Sequence, residues 1–287
     1  MFRMNNFGTL IGPAELAALK FSDYALFDCR FDLTRPQWGA AVYADGHLPR
    51  ARYLHLDRDL SAPLTPQSGR HPLPAWSEFT RRLGRWGIRA DTQVVAYDQG
   101  NGMVAARLWW MLRWVGHSRV AVLDGGVAAW IAAGYELTSA TTEPPSARDY
   151  VAAGVSAESI DVIALQRRLS AGGALLIDAR GTDRFAGENE TIDPVAGHIP
   201  GAVNHPFTGN LDERGRFLSA AALRDRWQSA LGAHTTREVI ATCGSGVSAC
   251  HNLLALEHAG LGLATLYPGS WSEWIRDPAR PVATGNS

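Results

Sequence analysis

The stretch Val239-Ile240-Ala241-Thr242-Cys243-Gly244-Ser245-Gly246-Val247-Ser248-Ala249-Cys250 sets one thiol beside two hydroxyls and two glycines. Its apolar start reads as a buried strand and the residues from Ser248 onward as a helix, so Cys243 stands where a small-residue loop begins. Two glycines let such a loop curl until successive N–H groups face one point. With the N-terminus of the following helix they make a cradle for an anion. A cysteine at the rim of that cradle is favoured as its thiolate, which is the nucleophilic form. The competing reading, a small buried hydrophobe, describes many free cysteines, but the placement at a helix N-terminus gives it less weight here.

Such a loop needs a sheet to hold it, because ligands of open α/β sheets gather at the C-terminal ends of strands. In the second half of the chain, apolar runs at 174–178, 202–204, 238–242 and 264–266 read as strands, and 218–231 and 248–258 as helices. Short buried runs alternating with longer helical patterns predict an α/β fold with a mainly parallel central sheet flanked by helices.

The first half repeats this pattern. Asp28-Cys29-Arg30 is echoed by Asp178-Ala179-Arg180, and Gly46-His47-Leu48-Pro49 by Gly197-His198-Ile199-Pro200. Val94-Val95-Ala96-Tyr97-Asp98 matches Val239-Ile240-Ala241-Thr242-Cys243, and Gly125…Trp130 matches Gly269…Trp274. The common order and nearly constant offset predict two tandem domains: residues 1–140, a linker at 141–150, and 151–287. The polar, Pro-rich run from Ser139 to Ser146 marks the join.

Duplication is also a control. Residues present in both copies, His47 with His198 and Arg30 with Arg180, read as structural: the histidines bonding backbone at a turn, the arginines pairing with carboxylates. Cys243 is matched by Asp98, so only the second copy carries a nucleophile. Cys250 lies two turns into the following helix and Cys29 at a strand end, and both are expected to pack inward. Trp109, Trp110 and Trp114 recur at helical spacing and read as core or interface residues.

The bulk numbers narrow the class of function. Lys plus Arg is 27 and Asp plus Glu 28, a net charge of -1, which leaves no basic field to collect nucleic acid or anionic membrane. No run of about 18 apolar residues suggests a membrane span, and the N-terminus lacks the apolar stretch of a signal peptide. A cytoplasmic location is expected. Three cysteines are too few for a disulfide framework or a four-ligand zinc site, so a cysteine that matters here matters as a thiol.

The loop Cys243-Gly244-Ser245-Gly246-Val247-Ser248-Ala249-Cys250 resembles the active-site loop of 3-mercaptopyruvate sulfurtransferases, which are tandem rhodanese-like proteins whose usual form has Thr where this chain has Ser248. The paired Gly-His-(Leu/Ile)-Pro motifs, Asp98 in the first copy, the segment from Val94 to Trp110 and Tyr267-Pro268-Gly269-Ser270-Trp271-Ser272-Glu273-Trp274 look like the same family. The resemblance implies two rhodanese-like domains. It also implies a sulfurtransferase in which Cys243 carries sulfur as a persulfide, with Gly244, Gly246, Val247 and Ser248 holding the bound group. Thiosulfate-preferring relatives place Arg and Lys after the cysteine. This chain has Gly244 and Ser245, which favours mercaptopyruvate, and Ala249 replaces the arginine that related phosphatases need.

By the same resemblance, Ser245, His71 in Gly69-Arg70-His71-Pro72 and Asp57 in Leu54-His55-Leu56-Asp57 form a proton relay across the two domains, although Gly69-Arg70 departs from the commoner residues. Arg184 corresponds to an arginine that binds the donor's carboxylate or sulfonate; a surface ion pair is its plainer reading. The second such arginine, nine residues on, falls on Asp193, a departure that weakens the choice of mercaptopyruvate. The acceptors implied are thioredoxin, low-molecular-weight thiols or cyanide, and the resemblance implies neither a metal nor an organic cofactor. Thiosulfate sulfurtransferase is the alternative of the same fold, and a non-catalytic persulfide carrier or interaction module the alternative of another class. A thiol-disulfide switch between Cys243 and Cys250 carries less weight.

Overall fold

The computed structural model describes residues 6–20, 22–143, 146–154 and 156–285. Pro144 and Pro145, at the centre of the expected linker, lie outside them, as do Met1 to Asn5 of the N-terminal stretch. The chain divides into two compact units. The first comprises the residues up to Leu60, Pro74–Ser156 and Arg214–Arg216, and the second Ser61–Leu73, Ala157–Glu213 and the residues from Phe217. His71, which belongs to the first copy by repeat, therefore packs with the second unit.

In the first unit the strands are β1 (Leu10–Ile11), β2 (Tyr24–Asp28), β3 (Arg52–Tyr53), β4 (Gln93–Tyr97) and β5 (Val120–Leu123). They form one sheet in the order β1-β5-β4-β2-β3, with every pairing parallel. The second unit holds β6 (Leu175–Asp178), β7 (Val203–Asn204), β8 (Val239–Thr242) and β9 (Thr265–Leu266) in the order β7-β6-β8-β9, again all parallel. Both β4 and β8 are interior strands buried along their whole length, which is why they read as continuous apolar runs without alternation.

The helices that follow them, Ala105–Trp114 and Ser248–His258, are buried from Ala105 to Leu112 and from Ala249 to Leu256. A helix enclosed on all sides shows no polar face, so its sequence carries little amphipathic signal. Trp109 and Trp110 are fully buried in the first of them. The helix expected from Leu218 begins at Ala220, because the Ser219 hydroxyl caps it by accepting the Ala222 amide at 3.2 Å.

The registers of the two sheets coincide. Asp28 pairs with Tyr97 and Asp178 with Thr242, so Asp98 and Cys243 are each the first residue past the corresponding strand end. The shared Asp-x-Arg motif closes on itself in both units, with Arg30 Nη2 2.6 Å from Asp28 and Arg180 Nη2 2.8 Å from Asp178. The same arginine nitrogens reach on to the carbonyls of Gly46 and Gly197, tying each Gly-His-x-Pro turn to the sheet. Removing either arginine would strand a buried carboxylate, at a cost of about 3–5 kcal/mol. Within those turns, His47 Nδ1 bonds the Tyr43 carbonyl at 2.8 Å and His198 Nδ1 the Phe185 carbonyl at 2.9 Å. All four motif residues are accounted for by the fold.

Candidate functional site

Strand β8 delivers Cys243 to the C-terminal edge of its sheet, 2% exposed. The loop then turns sharply at Gly246, which has φ +73°; a Cβ there would lie 2.4 Å from the Pro268 carbonyl oxygen, so only glycine fits. The turn aims the Gly246 amide at Cys243 Sγ, 3.1 Å away. A second segment closes over the loop, with the Trp271 amide donating to the Cys243 carbonyl and the Ser272 amide to the Gly244 carbonyl, both at 2.9 Å. Just before them Ser270 adopts φ +53°, unusual for a residue with a side chain. Its hydroxyl accepts the Cys243 amide at 3.1 Å and lies 3.9 Å from the sulfur. Val247 is buried and Ser248 opens the following helix. Cys250, expected two turns into the helix, lies in its first turn because the helix starts only at Ser248; it is fully buried, its thiol donating to the Gly246 carbonyl at 3.2 Å, and all three cysteines are free thiols.

His71 and Ser245 are brought together. His71 Nδ1 lies 2.7 Å from Ser245 Oγ, with the residues 3% and 6% exposed. The segment Ser61–Leu73 supplies the histidine by lying along the loop side of the second unit. The Ala62 amide donates to the Pro72 carbonyl, the Arg70 amide to Ser272 Oγ at 2.9 Å, and Arg276 Nε to the Ser68 carbonyl. Gly69 is packed so closely that a Cβ would lie 2.4 Å from the Gly269 carbonyl oxygen. Asp57 belongs to the first unit, in the short helix Leu56–Asp59, where its amide donates to His55 Nδ1 and its carboxylate stands 3.9 Å from the same nitrogen.

Arg184 lies in the second unit among carboxylates. Its Nε and Nη2 engage both oxygens of Glu190 at 2.9–3.2 Å, and Nη2 also meets Asp193 Oδ2 at 3.1 Å. Burial works to raise the Glu190 carboxyl, but the Asp193 amide, the Arg184 guanidinium and the Ile192 amide together hold it below the ordinary carboxylate range. The other oxygen of Asp193 takes Arg70 Nη1 at 2.5 Å. Asp193, the departure noted in the sequence, is thus the anchor of a different arginine, a contact that sequence reasoning missed. Ser270 was missed as well. Both guanidiniums approach the loop, since a Cβ placed on Gly244 would lie 3.2 Å from Arg70 Nη2 and 3.8 Å from Arg184 Nη1 and Nη2.

Comparison with known proteins places the fold. The model of the rhodanese-like domain matches residues 13–133 and again 161–277. A Pseudomonas aeruginosa protein named a probable 3-mercaptopyruvate sulfurtransferase is 49% identical over 280 residues, 96% of this chain and 98% of its own. A thiosulfate sulfurtransferase of Rattus norvegicus is 34% identical over 254 residues, covering 85% of this chain and 83% of its own. Among solved structures, a 3-mercaptopyruvate sulfurtransferase from Leishmania major superposes with a TM-score of 0.85 at 32% identity, over 96% of this chain and 77% of that one.

Proposed function

The chain belongs to the rhodanese-like domain family and is a sulfurtransferase, and we propose that Cys243 takes sulfur from 3-mercaptopyruvate as a persulfide and passes it to a thiol or to cyanide. The observation that carries this reading is the buried 2.7 Å hydrogen bond between His71 and Ser245, two residues from the nucleophile in a loop that has no charge of its own.

The chemistry explains why such a pair is useful. The Cys243 thiolate attacks the thiol sulfur of the donor, an S–S bond forms, and the C–S bond breaks with its electron pair left on carbon as the enolate of pyruvate. The proton from the donor thiol must reach that carbon, giving pyruvate and the Cys243 persulfide anion. A serine hydroxyl bonded to an imidazole can take and return this proton, with Asp57 as a further member of the relay. The Gly246 amide and the residues Gly244, Val247 and Ser248 surround the persulfide, whose negative charge is stabilised by the amide and the helix N-terminus. Arg184 is the contact for the donor's anionic group. In the second half-reaction the outer sulfur moves to the acceptor and Cys243 returns to its thiolate; thioredoxin, a small thiol or cyanide fits this step.

A second reading, transfer from thiosulfate, is favoured by one observation: two guanidiniums flank Gly244 and could hold a dianionic donor. Among the described residues no helix is long and apolar enough to cross a membrane, and a reducing, cytoplasmic setting suits three free thiols. The test is steady-state transfer to cyanide with each donor in turn, by the wild type and by Cys243→Ser. The expected result is preference for mercaptopyruvate and a dead variant. Preference for thiosulfate would replace the donor, and inactivity on both would leave a persulfide carrier.

A further inference from the structure

We propose that the first unit holds a site for the phosphoryl group of a small molecule, in a pocket built around Arg50 and Arg52. The pocket encloses about 390 Å³, within the size range of small-molecule sites, at the N-terminal ends of β2 and β4. Ligands of such sheets usually gather at the opposite end. There Asp98 takes the loop amides for itself, which leaves this end as the open one. Four guanidiniums line the pocket against three carboxylates. Asp91 is engaged by Arg89 Nε at 3.0 Å and Asp23 by the Ser22 hydroxyl at 2.8 Å. Arg52 pairs with no carboxylate among the described residues. Its Nη1 donates to the Trp86 carbonyl at 2.8 Å and its Cζ lies 4.6 Å from the centre of the Phe27 ring. Burial pushes this guanidinium below the ordinary arginine range, opposed by Tyr43 and by no acidic side chain. A half-buried cation held flat on a ring, with N–H groups to spare, lacks an anion.

The two copies of the fold show that neither arginine is there for the turn it stands on. Arg50 adopts φ +67°, in the left-handed region that a residue with a side chain enters only at a steric cost. Its counterpart in the second unit is Gly201, at φ +79°. Arg52 has Val203 as its counterpart, since Phe27 pairs with Arg52 where Ile177 pairs with Val203. The second unit therefore builds the same turn without either charge. In the first, the strained Arg50 reaches Tyr24, whose hydroxyl burial pushes up and the arginine pulls back. Ala51 is buried between the two arginines, so both side chains leave one face and line the pocket together. Two planar forks side by side match the double charge and three oxygens of a phosphoryl group. The half-buried Trp86 lines the same pocket and gives an organic portion a surface to rest on.

The test is calorimetric titration of the full chain with inorganic phosphate, ribose 5-phosphate and AMP, and with adenosine as the uncharged control. Saturable binding of a phosphorylated probe without binding of adenosine is the expected result, and the tightest of the three tells whether free phosphate, a sugar phosphate or a nucleotide suits the pocket. Arg50→Gly, which installs the residue of the second unit, should weaken that binding about 10- to 100-fold, as for a lost hydrogen bond between charged groups. Its urea midpoint should stay at or above that of the wild type, because glycine relieves the backbone, and its sulfur transfer to cyanide should be unchanged. Arg52→Gln should weaken binding by a similar factor. Binding that survives both substitutions puts the anion elsewhere, at the loop after β8 or on the general surface, and overturns the proposal. Adenosine that binds as tightly as AMP overturns it too, as does silence of every phosphorylated probe into the millimolar range.

Discussion

The loops that follow β4 and β8 begin at the same register of the same sheet, yet one ends in a carboxylate and the other in a thiol. Asp98 turns back into its own loop, accepting the amides of Gly100 at 3.0 Å, Gly102 and Val104 at 2.9 Å and Ala105 at 3.3 Å. Burial pushes its carboxyl up and these four amides pull it back, the burial winning. The first unit therefore fills its anion cradle with a group of its own. Cys243 is shorter and singly substituted at its tip, and draws one amide, that of Gly246. The flanking segment differs in the same sense: Gly126 and Ser270 occupy matching left-handed positions, at φ +55° and +53°, but only the serine brings a hydroxyl to the loop. A Cβ on Gly126 would meet the Asp98 carbonyl oxygen at 2.4 Å. One copy of the fold has closed its site and the other has furnished it.

The contrast makes its strongest demand at the nucleophile. Cys243→Ala should abolish transfer from every donor and the mass gain of one sulfur atom after incubation with mercaptopyruvate, leaving Asp98 unable to substitute. A persulfide detected on Cys29 or Cys250 in that variant would show that the loop is not the sulfur's site. The next largest effect belongs to His71→Ala, for which kcat with mercaptopyruvate should drop about 10²- to 10⁴-fold, the usual range for a positioned acid or base. Thiosulfate releases sulfite and no enolate, so its turnover should suffer far less; equal losses would assign His71 to shaping the loop instead of moving a proton.

In the first unit the same scale applies to stability. Asp98→Ala leaves four amides, three of them buried, to find other partners and should cost about 1–3 kcal/mol, read as a lower urea midpoint. The persulfide formed per folded molecule should persist. A variant as stable as the wild type would mean that the carboxylate is not what holds the first loop shut.

Much of this contrast is legible in the sequence, and the reason is duplication. Strand β8 and the helix Ser248–His258 can be placed within a residue because an apolar run, two glycines and a helical pattern follow each other without interruption. Comparing the copies assigns Arg30, Arg180, His47 and His198 to the fold, where the structure finds each bonded to carboxylate or backbone. The same comparison could have found Ser270, a serine set against a glycine, but backbone φ is not written in residue type. Arg70 was beyond reach because its link to Asp193 joins positions 123 apart in the chain, and a salt bridge of that span leaves no periodic trace. The grouping of Ser61–Leu73 with the second unit was hidden for the same reason: pairing partners such as Ser272 lie far along the chain.

The smallest effect separates the two units by pH. Both carry the Asp-x-Arg pair, but in the second Arg180 Nη1 also stands 3.7 Å from Glu190, which Arg184 grips as well. Because the folded protein holds the Glu190 carboxyl below its ordinary value of about 4.3, its contribution to stability is complete above that value and is lost as pH falls through the depressed one. Glu190→Gln should therefore lower stability near neutral pH by on the order of 0.5 kcal/mol once solvent screening is allowed for, read as a lower urea midpoint. The gap from wild type should close as pH falls below the ordinary carboxylate range and the native carboxylate takes up its proton. A gap that stays constant through acidification would mean that the substituted amide is disfavoured by its fit alone, and that charge at this position does not distinguish the second unit from the first.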